Sequence, residues 1–127
     1  MLVEDHTDTR QMYVEFLRAH YEVTEACDGI AALESVRAHL PDVIVTDLAL
    51  PRMDGFELVA RIRAEERTAK LPVIALSGYS GPEHQARVQA AGTTLVLLKP
   101  CMPDALLEAL KQVLVERPPT SSSSSSS

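Results

Sequence analysis

Tryptophan is absent from this 127-residue chain, and aromatic residues make up only 4% of it. A core built here has to be filled by Leu, Val, Ile and Ala. With 46% hydrophobic residues there are enough of them for one domain. Cysteine is scarce as well. Cys27 and Cys101 lie far apart and form no CxxC pair, which argues against a disulfide framework and against a zinc site. No run of about 18 apolar residues occurs, so no transmembrane span is expected. The start, Met1-Leu2-Val3-Glu4-Asp5, has neither a basic segment nor an apolar one of signal-peptide type. A reducing, cytoplasmic setting is the expectation. Positive charge is in deficit, with 12 Lys and Arg against 18 Asp and Glu and a net charge of −6. That argues against nucleic-acid binding through a basic face, while a cationic partner or a metal ion stays open.

What is present falls into two parts. Pro118 and Pro119 stop any helix, and Ser121 to Ser127 is an unbroken serine run. Such a run buries nothing, so residues 118–127 are expected to be a disordered tail or linker. Residues 1–117 alternate between short apolar runs and helical stripes. Met1 to Val3 is an apolar start. Thr9, Met12, Tyr13, Phe16 and Leu17 form one stripe of an amphipathic helix that Thr7 or Asp8 caps. Tyr21 to Glu25 alternates like a half-exposed edge strand. Ile30, Leu33, Val36 and Leu40 mark a second helix, stopped by Pro41. Val43 to Val45 has the β-branched bias of a strand buried on both faces. A loop from Leu48 to Gly55 carries Pro51, and Asp54 reads as the N-cap of a third helix with Leu58, Val59 and Ile62. Pro72 to Leu76 is another strand, and Pro82 to Ala91 a helix with so few apolar residues that it should pack weakly. Leu95 to Leu98 is the last strand. Leu106, Ala109, Leu110, Val113 and Leu114 stripe the last helix.

Five strand–helix units in alternation predict an α/β sheet with helices on both faces and right-handed crossovers. Ligands on such sheets sit beyond the carboxyl ends of the strands, near a topological switch point. Four of the five strands deliver polar groups there: Glu4-Asp5, Asp47, Ser77 and Lys99-Pro100. Carboxylates gathered in one place repel, by roughly 4 kcal/mol for a pair about 4 Å apart at a partly screened dielectric. A hard divalent cation such as Mg²⁺ turns that repulsion into attraction, and it also takes phosphate oxygens. Lys99 adds an ammonium and Ser77 a hydroxyl donor. A carboxylate nucleophile, a metal site, a hydroxyl and an ammonium are the parts that phosphoryl transfer needs.

In this order and at these separations, Val3-Glu4-Asp5, Asp47-Leu48-Ala49-Leu50-Pro51-Arg52-Met53-Asp54-Gly55, Ala75-Leu76-Ser77-Gly78 and Leu98-Lys99-Pro100 resemble the receiver domain of two-component response regulators, over about residues 1–117. The resemblance implies a flavodoxin-like, doubly wound, five-stranded parallel sheet of order 2-1-3-4-5. It implies that Asp47 accepts the phosphoryl group and that Mg²⁺ is held by Asp5, by Glu4 through water, by Asp47 and by the Ala49 carbonyl. Ser77 and Lys99 would bind the phosphoryl oxygens, and the Lys99-Pro100 bond would be cis. The implied partners are a sensor histidine kinase or phosphotransfer protein. A downstream protein or a second copy would bind on the face of the fourth helix, fifth strand and fifth helix. The domain would catalyse only its own phosphorylation and dephosphorylation, and it either stands alone, relays phosphate or belongs to a larger protein such as a hybrid kinase.

Four positions depart from the family or vary within it: Val96 and Cys101 depart, and Ala49 and Tyr79, each two residues beyond a site residue, vary. Val96 stands where the family often has a Tyr or Phe that changes rotamer, and Val has a stiff χ1 and no ring to swing. Cys101 stands where Phe is common. Tyr79, two residues beyond Ser77, is expected to shield an acyl phosphate from water. Val96 is the main support for the rival class, an interaction module that works without phosphorylation. A phosphatase with an Asp nucleophile usually carries a second Asp two residues on, where this chain has Ala49. A flavin module lacks its phosphate loop after the first strand. The plainer structural readings are a strand-end Asp47 that only caps a loop, a solvated Glu4-Asp5, an ion-paired surface Lys99 and a turn residue at Ser77. His20 and His39 are expected in the last turns of the first two helices, His6 exposed at a helix start, His84 exposed on its helix, and Cys27 and Cys101 as small packing residues.

Overall fold

A computed structural model describes residues 1–50, 52–78 and 81–116. The elements run β1 (Leu2–Val3), α1 (Thr7–Arg18), β2 (Glu25–Ala26), α2 (Gly29–Ala38), β3 (Ile44–Asp47), α3 (Gly55–Ala64), β4 (Val73–Ser77), α4 (Pro82–Ala90), β5 (Leu95–Leu98) and α5 (Pro103–Glu116). All four strand pairings are parallel and the sheet order is β2-β1-β3-β4-β5. The alternation predicts the α/β sheet, and its five-stranded flavodoxin-like order is the one the family resemblance implies.

The apolar runs work because side chains alternate across a strand. Leu2, Val45, Ile74 and Leu76 face one side and pack with Tyr13, Val14 and Leu17 of α1 and Leu106 and Leu110 of α5. Val3, Ile44 and Val73 face the other and pack with α2 and α3 through Leu33, Val36, Leu58, Val59 and Ile62. A small third cluster of Leu48, Ala75 and Val88, with Phe56 and Val96 against it, lies toward α4. As its composition implied, α4 buries only Val88.

Several local expectations shift. The buried stripe of α1 is Tyr13, Val14 and Leu17, while Met12 and Phe16 are exposed; the helix is turned so that Tyr13 reaches the Cys101 carbonyl in the turn before α5. His6, not Thr7 or Asp8, is the N-cap, its Nδ1 accepting from the Thr9 N–H at 3.4 Å. The second strand is Glu25–Ala26 rather than Tyr21 to Glu25, because Tyr21 and Val23 pack under the sheet against the first cluster. Leu40 lies past α2 and is exposed, and His20 and His39 lie beyond the ends of their helices, whose last turns carry Arg18 and Arg37 instead. Cys27 is exposed, so it is no packing residue, whereas Cys101 is buried. Pro51, Tyr79 and the segment 117–127, which includes the expected Pro/Ser tail, lie outside the described residues.

Candidate functional site

The ladder bonds carry the site residues to one edge. Asp47 ends β3 opposite Leu76, and the N–H of Leu48 continues the ladder to the Leu76 carbonyl at 3.1 Å. One strand over, the Lys99 N–H donates to the Ser77 carbonyl at 2.7 Å. The Glu4 N–H donates to the Ala26 carbonyl at 3.0 Å. Glu4, Asp47, Ser77 and Lys99 are therefore held by backbone pairing at the carboxyl ends of four different strands. The edge is the crevice where the strand order reverses, between β1 and β3.

Lys99 Nζ donates to Asp47 Oδ2 at 2.6 Å and stands 3.8 Å from Glu4 Oε1. Asp47 Oδ1 accepts from the Ala49 N–H at 3.1 Å, which fixes the start of the following loop beside the carboxylate. Burial pushes the Lys99 ammonium down, but the hydrogen bond and charge of Asp47, with Glu4 and Asp5 behind it, outweigh burial and hold the group above its ordinary value. Lys99 therefore stays charged. Glu4 is 1% exposed, and its Oε2 accepts from the His6 N–H at 3.2 Å. Burial pushes its carboxyl above the ordinary range; the His6 N–H and Lys99 oppose this, while Asp47 and Asp5 add to it.

The donor set fits a hard cation. Glu4, Asp5 and Asp47 each offer an oxygen, and these oxygens lie within 4.8 Å of one another. Glu4 Oε1 is buried with no hydrogen-bond partner among the described residues, although a buried carboxylate oxygen left unpaired is costly. Lys99 at 3.8 Å offsets its charge only in part. A cation among the three carboxylates would complete the shell, with oxygen ligands of the kind Mg²⁺ takes.

Neighbouring segments make the close packing possible. A Cβ on Gly55 would sit 2.6 Å from the Asp47 carbonyl oxygen and from Leu48 Cα. Only glycine lets the start of α3 press against the end of β3, and Asp54 caps that helix by accepting from the Glu57 N–H at 2.9 Å, as expected. Behind Lys99 the Lys99-Pro100 bond is cis. Tyr13 Oη donates to the Cys101 carbonyl at 2.6 Å and ties that turn to α1.

The sequence missed one residue of this edge. His84 is not an exposed helix position: it is half-buried, and its Nε2 lies 2.7 Å from Ser77 Oγ. Its ring meets Phe56 edge-on at 5.6 Å between centroids, and the Arg87 guanidinium lies 3.8 Å over the same Phe56 ring. A signal existed in the spacing, since His84 stands one turn before Val88, the buried residue of α4.

The family described as response regulator receiver domain matches residues 1–111. The chemotaxis protein CheY4 of Vibrio cholerae superposes with a TM-score of 0.84 at 37% identity, over 89% of this chain and 95% of that one. The receiver domain of a sensor histidine kinase from Pseudomonas aeruginosa, solved with a magnesium ion coordinated in its active-site cleft, gives 0.83 at 31% identity, over 91% and 95%. Hybrid signal transduction histidine kinase D of Dictyostelium discoideum is 31% identical over 107 residues, 84% of this chain but 7% of that protein's length.

Proposed function

The chain belongs to the response regulator receiver domain family, and on that premise we propose that Asp47 accepts a phosphoryl group from a histidine kinase or a phosphotransfer protein. The observation that carries this reading is the neighbourhood of the Asp47 carboxylate: the Lys99 ammonium at 2.6 Å, and oxygens of Glu4 and Asp5 within 4.8 Å. The receiver unit is residues 1–117. Its only chemistry is its own phosphorylation and dephosphorylation.

In the transfer an Asp47 oxygen forms a bond to phosphorus as the P–N bond of a phosphohistidine breaks. The imidazole nitrogen keeps the electron pair and takes a proton from water. Asp5, Glu4 (through water), Asp47 and the Ala49 carbonyl would hold Mg²⁺. When bound, that ion offsets the charge on the transferred oxygens. Lys99 gives up its bond to Asp47 and pairs with a phosphoryl oxygen, and the Ser77 hydroxyl donates to another. Water attack at phosphorus later releases phosphate and restores the carboxylate. The two-state face that reads the event is α4, β5 and α5, where a downstream protein or a second copy binds. None of the helices among the described residues is long and apolar enough to cross a membrane, and we place the reaction in the cytoplasm.

The second reading is a module that binds partners without phosphorylation, and Val96 at the aromatic position favours it. The two separate on one experiment. Incubated with acetyl phosphate and Mg²⁺, the protein should gain one phosphoryl group by intact mass, and Asp47→Asn or EDTA should remove the gain. An unlabelled wild-type protein would favour the second reading, and a labelled Asn variant would overturn the assignment of Asp47.

A further inference from the structure

With valine at position 96, the helix that reads the site needs another reporter. We propose that His84 is that reporter: it is a positioning residue that holds the Ser77 hydroxyl while Asp47 is unmodified and loses this bond when Ser77 turns to the phosphoryl group. The inference rests on the reading of Asp47 as phosphoacceptor.

The argument begins with the hydroxyl. Ser77 has one O–H to donate. Its Oγ lies 2.7 Å from His84 Nε2, so a move toward Asp47 competes with this bond whichever ring nitrogen carries the proton. The two groups sit on separately anchored elements. Ser77 is the last residue of β4, a strand paired on both sides; it is itself in register with Leu98, and its carbonyl accepts from the Lys99 N–H. His84 is on the first turns of α4 and is braced by Phe56, whose ring edge-packs it and also carries Arg87. Rotation of the Ser77 side chain therefore lengthens the contact instead of dragging the imidazole along.

Loss of this bond matters because α4 has little else. Val88 is its single buried residue, and Gly81 at its N-cap offers no side-chain cap. Contacts that hold the helix among the described residues include Val88, the Phe56 clasp to α3, the Ser77–His84 bond and, at its far end, the Thr93 hydroxyl on the Val88 carbonyl. Elements with so few buried contacts open or shift at low cost. Val96 packs in the same small cluster as Val88 and Phe56. Among the described residues Phe56 and His84 supply rings beside this cluster, and the part of a swinging aromatic passes to a hydrogen bond that is made or broken.

The test uses the full chain with beryllium fluoride and Mg²⁺ as a stable phosphoryl mimic, followed by the ring ¹⁵N signals of His84. Expected is a shift of the Nε2 signal on binding, matched in unmodified protein by Ser77→Ala. His84→Ala should bind the mimic about fivefold tighter, the factor of a typical net hydrogen bond no longer competing. His84→Gln, which keeps a hydrogen-bonding group, should restore most of the wild-type affinity. In a Ser77→Ala background His84→Ala should change nothing. A His84 signal that stays in place while intact mass shows acetyl phosphate labelling of Asp47 would overturn the role of His84 and leave the phosphoacceptor standing. The same holds for tightening that persists without Ser77. Absence of both labelling and mimic binding would overturn the two together.

Discussion

The centre of the sheet and its α4–β5 edge are built differently. Every residue of β3 and β4 is buried, while the first three residues of β5 are half-buried and its last, Leu98, is exposed. Glu4 and Asp47, the buried acids of the site, stand on the centre. Ser77 ends the central β4 but bonds outward to α4, and Lys99 follows β5 but reaches inward to Asp47. The nucleophile is fixed where the packing is tightest, and the groups that report on it bridge to where packing is loosest. Positions that must be accurate belong on rigid elements, and an element that must move has to be cheap to move.

The contrast is broken most strongly at Lys99. Lys99→Ala removes the cation that faces the charge developing on the phosphoryl oxygens, and labelling by acetyl phosphate should slow by roughly 100-fold. A time course by intact mass that stays within a factor of two would mean the ammonium pairs with Asp47 and does nothing more. Two leucines on adjacent strands sharpen the packing difference. Leu76→Ala, at a position 0% exposed, should lower the unfolding free energy by about 2–5 kcal/mol. Leu98→Ala, at 50% exposure, should change it by no more than about 0.5 kcal/mol. Similar costs in urea titrations would contradict the rigid-centre, loose-edge picture. Gly55→Ala should cost about 1–3 kcal/mol, because its Cβ meets backbone of Asp47 and Leu48.

A smaller effect comes from Glu4. Its carboxyl is pushed above its ordinary 4.5, first of all by burial. Between that value and the raised one, the folded protein binds more protons than the unfolded chain, so stability falls as pH rises through the window. Mg²⁺ binds the ionised form and should flatten or reverse the fall. Thermal unfolding followed from acid to neutral pH, with and without Mg²⁺, checks the sign, and a trend indifferent to the ion would count against a metal at Glu4.

The same contrast explains what could be read without coordinates. Val43 to Val45 and Pro72 to Leu76 announced buried parallel strands because both faces are covered, and the strand-end acids followed from them. The two-residue β1 and β2 left almost no pattern, so Tyr21 and Val23, which pack under the sheet, mimicked an edge strand. In α1 the expected stripe holds for Tyr13 and Leu17, but Met12 and Phe16 share their spacing and face out. His84 escaped because its partners, Ser77 and Phe56, are brought to it only by the packing of α3, β4 and α4. A polar contact across three elements leaves no local period.

The acyl phosphate itself offers the most direct measurement. After treatment with acetyl phosphate and Mg²⁺, borohydride reduction converts an aspartyl phosphate to homoserine, which peptide mass mapping locates. The site described here requires that change at position 47 and its loss when EDTA is present. Reduction at Asp5, Asp54 or any other acid, with position 47 unchanged, would contradict it.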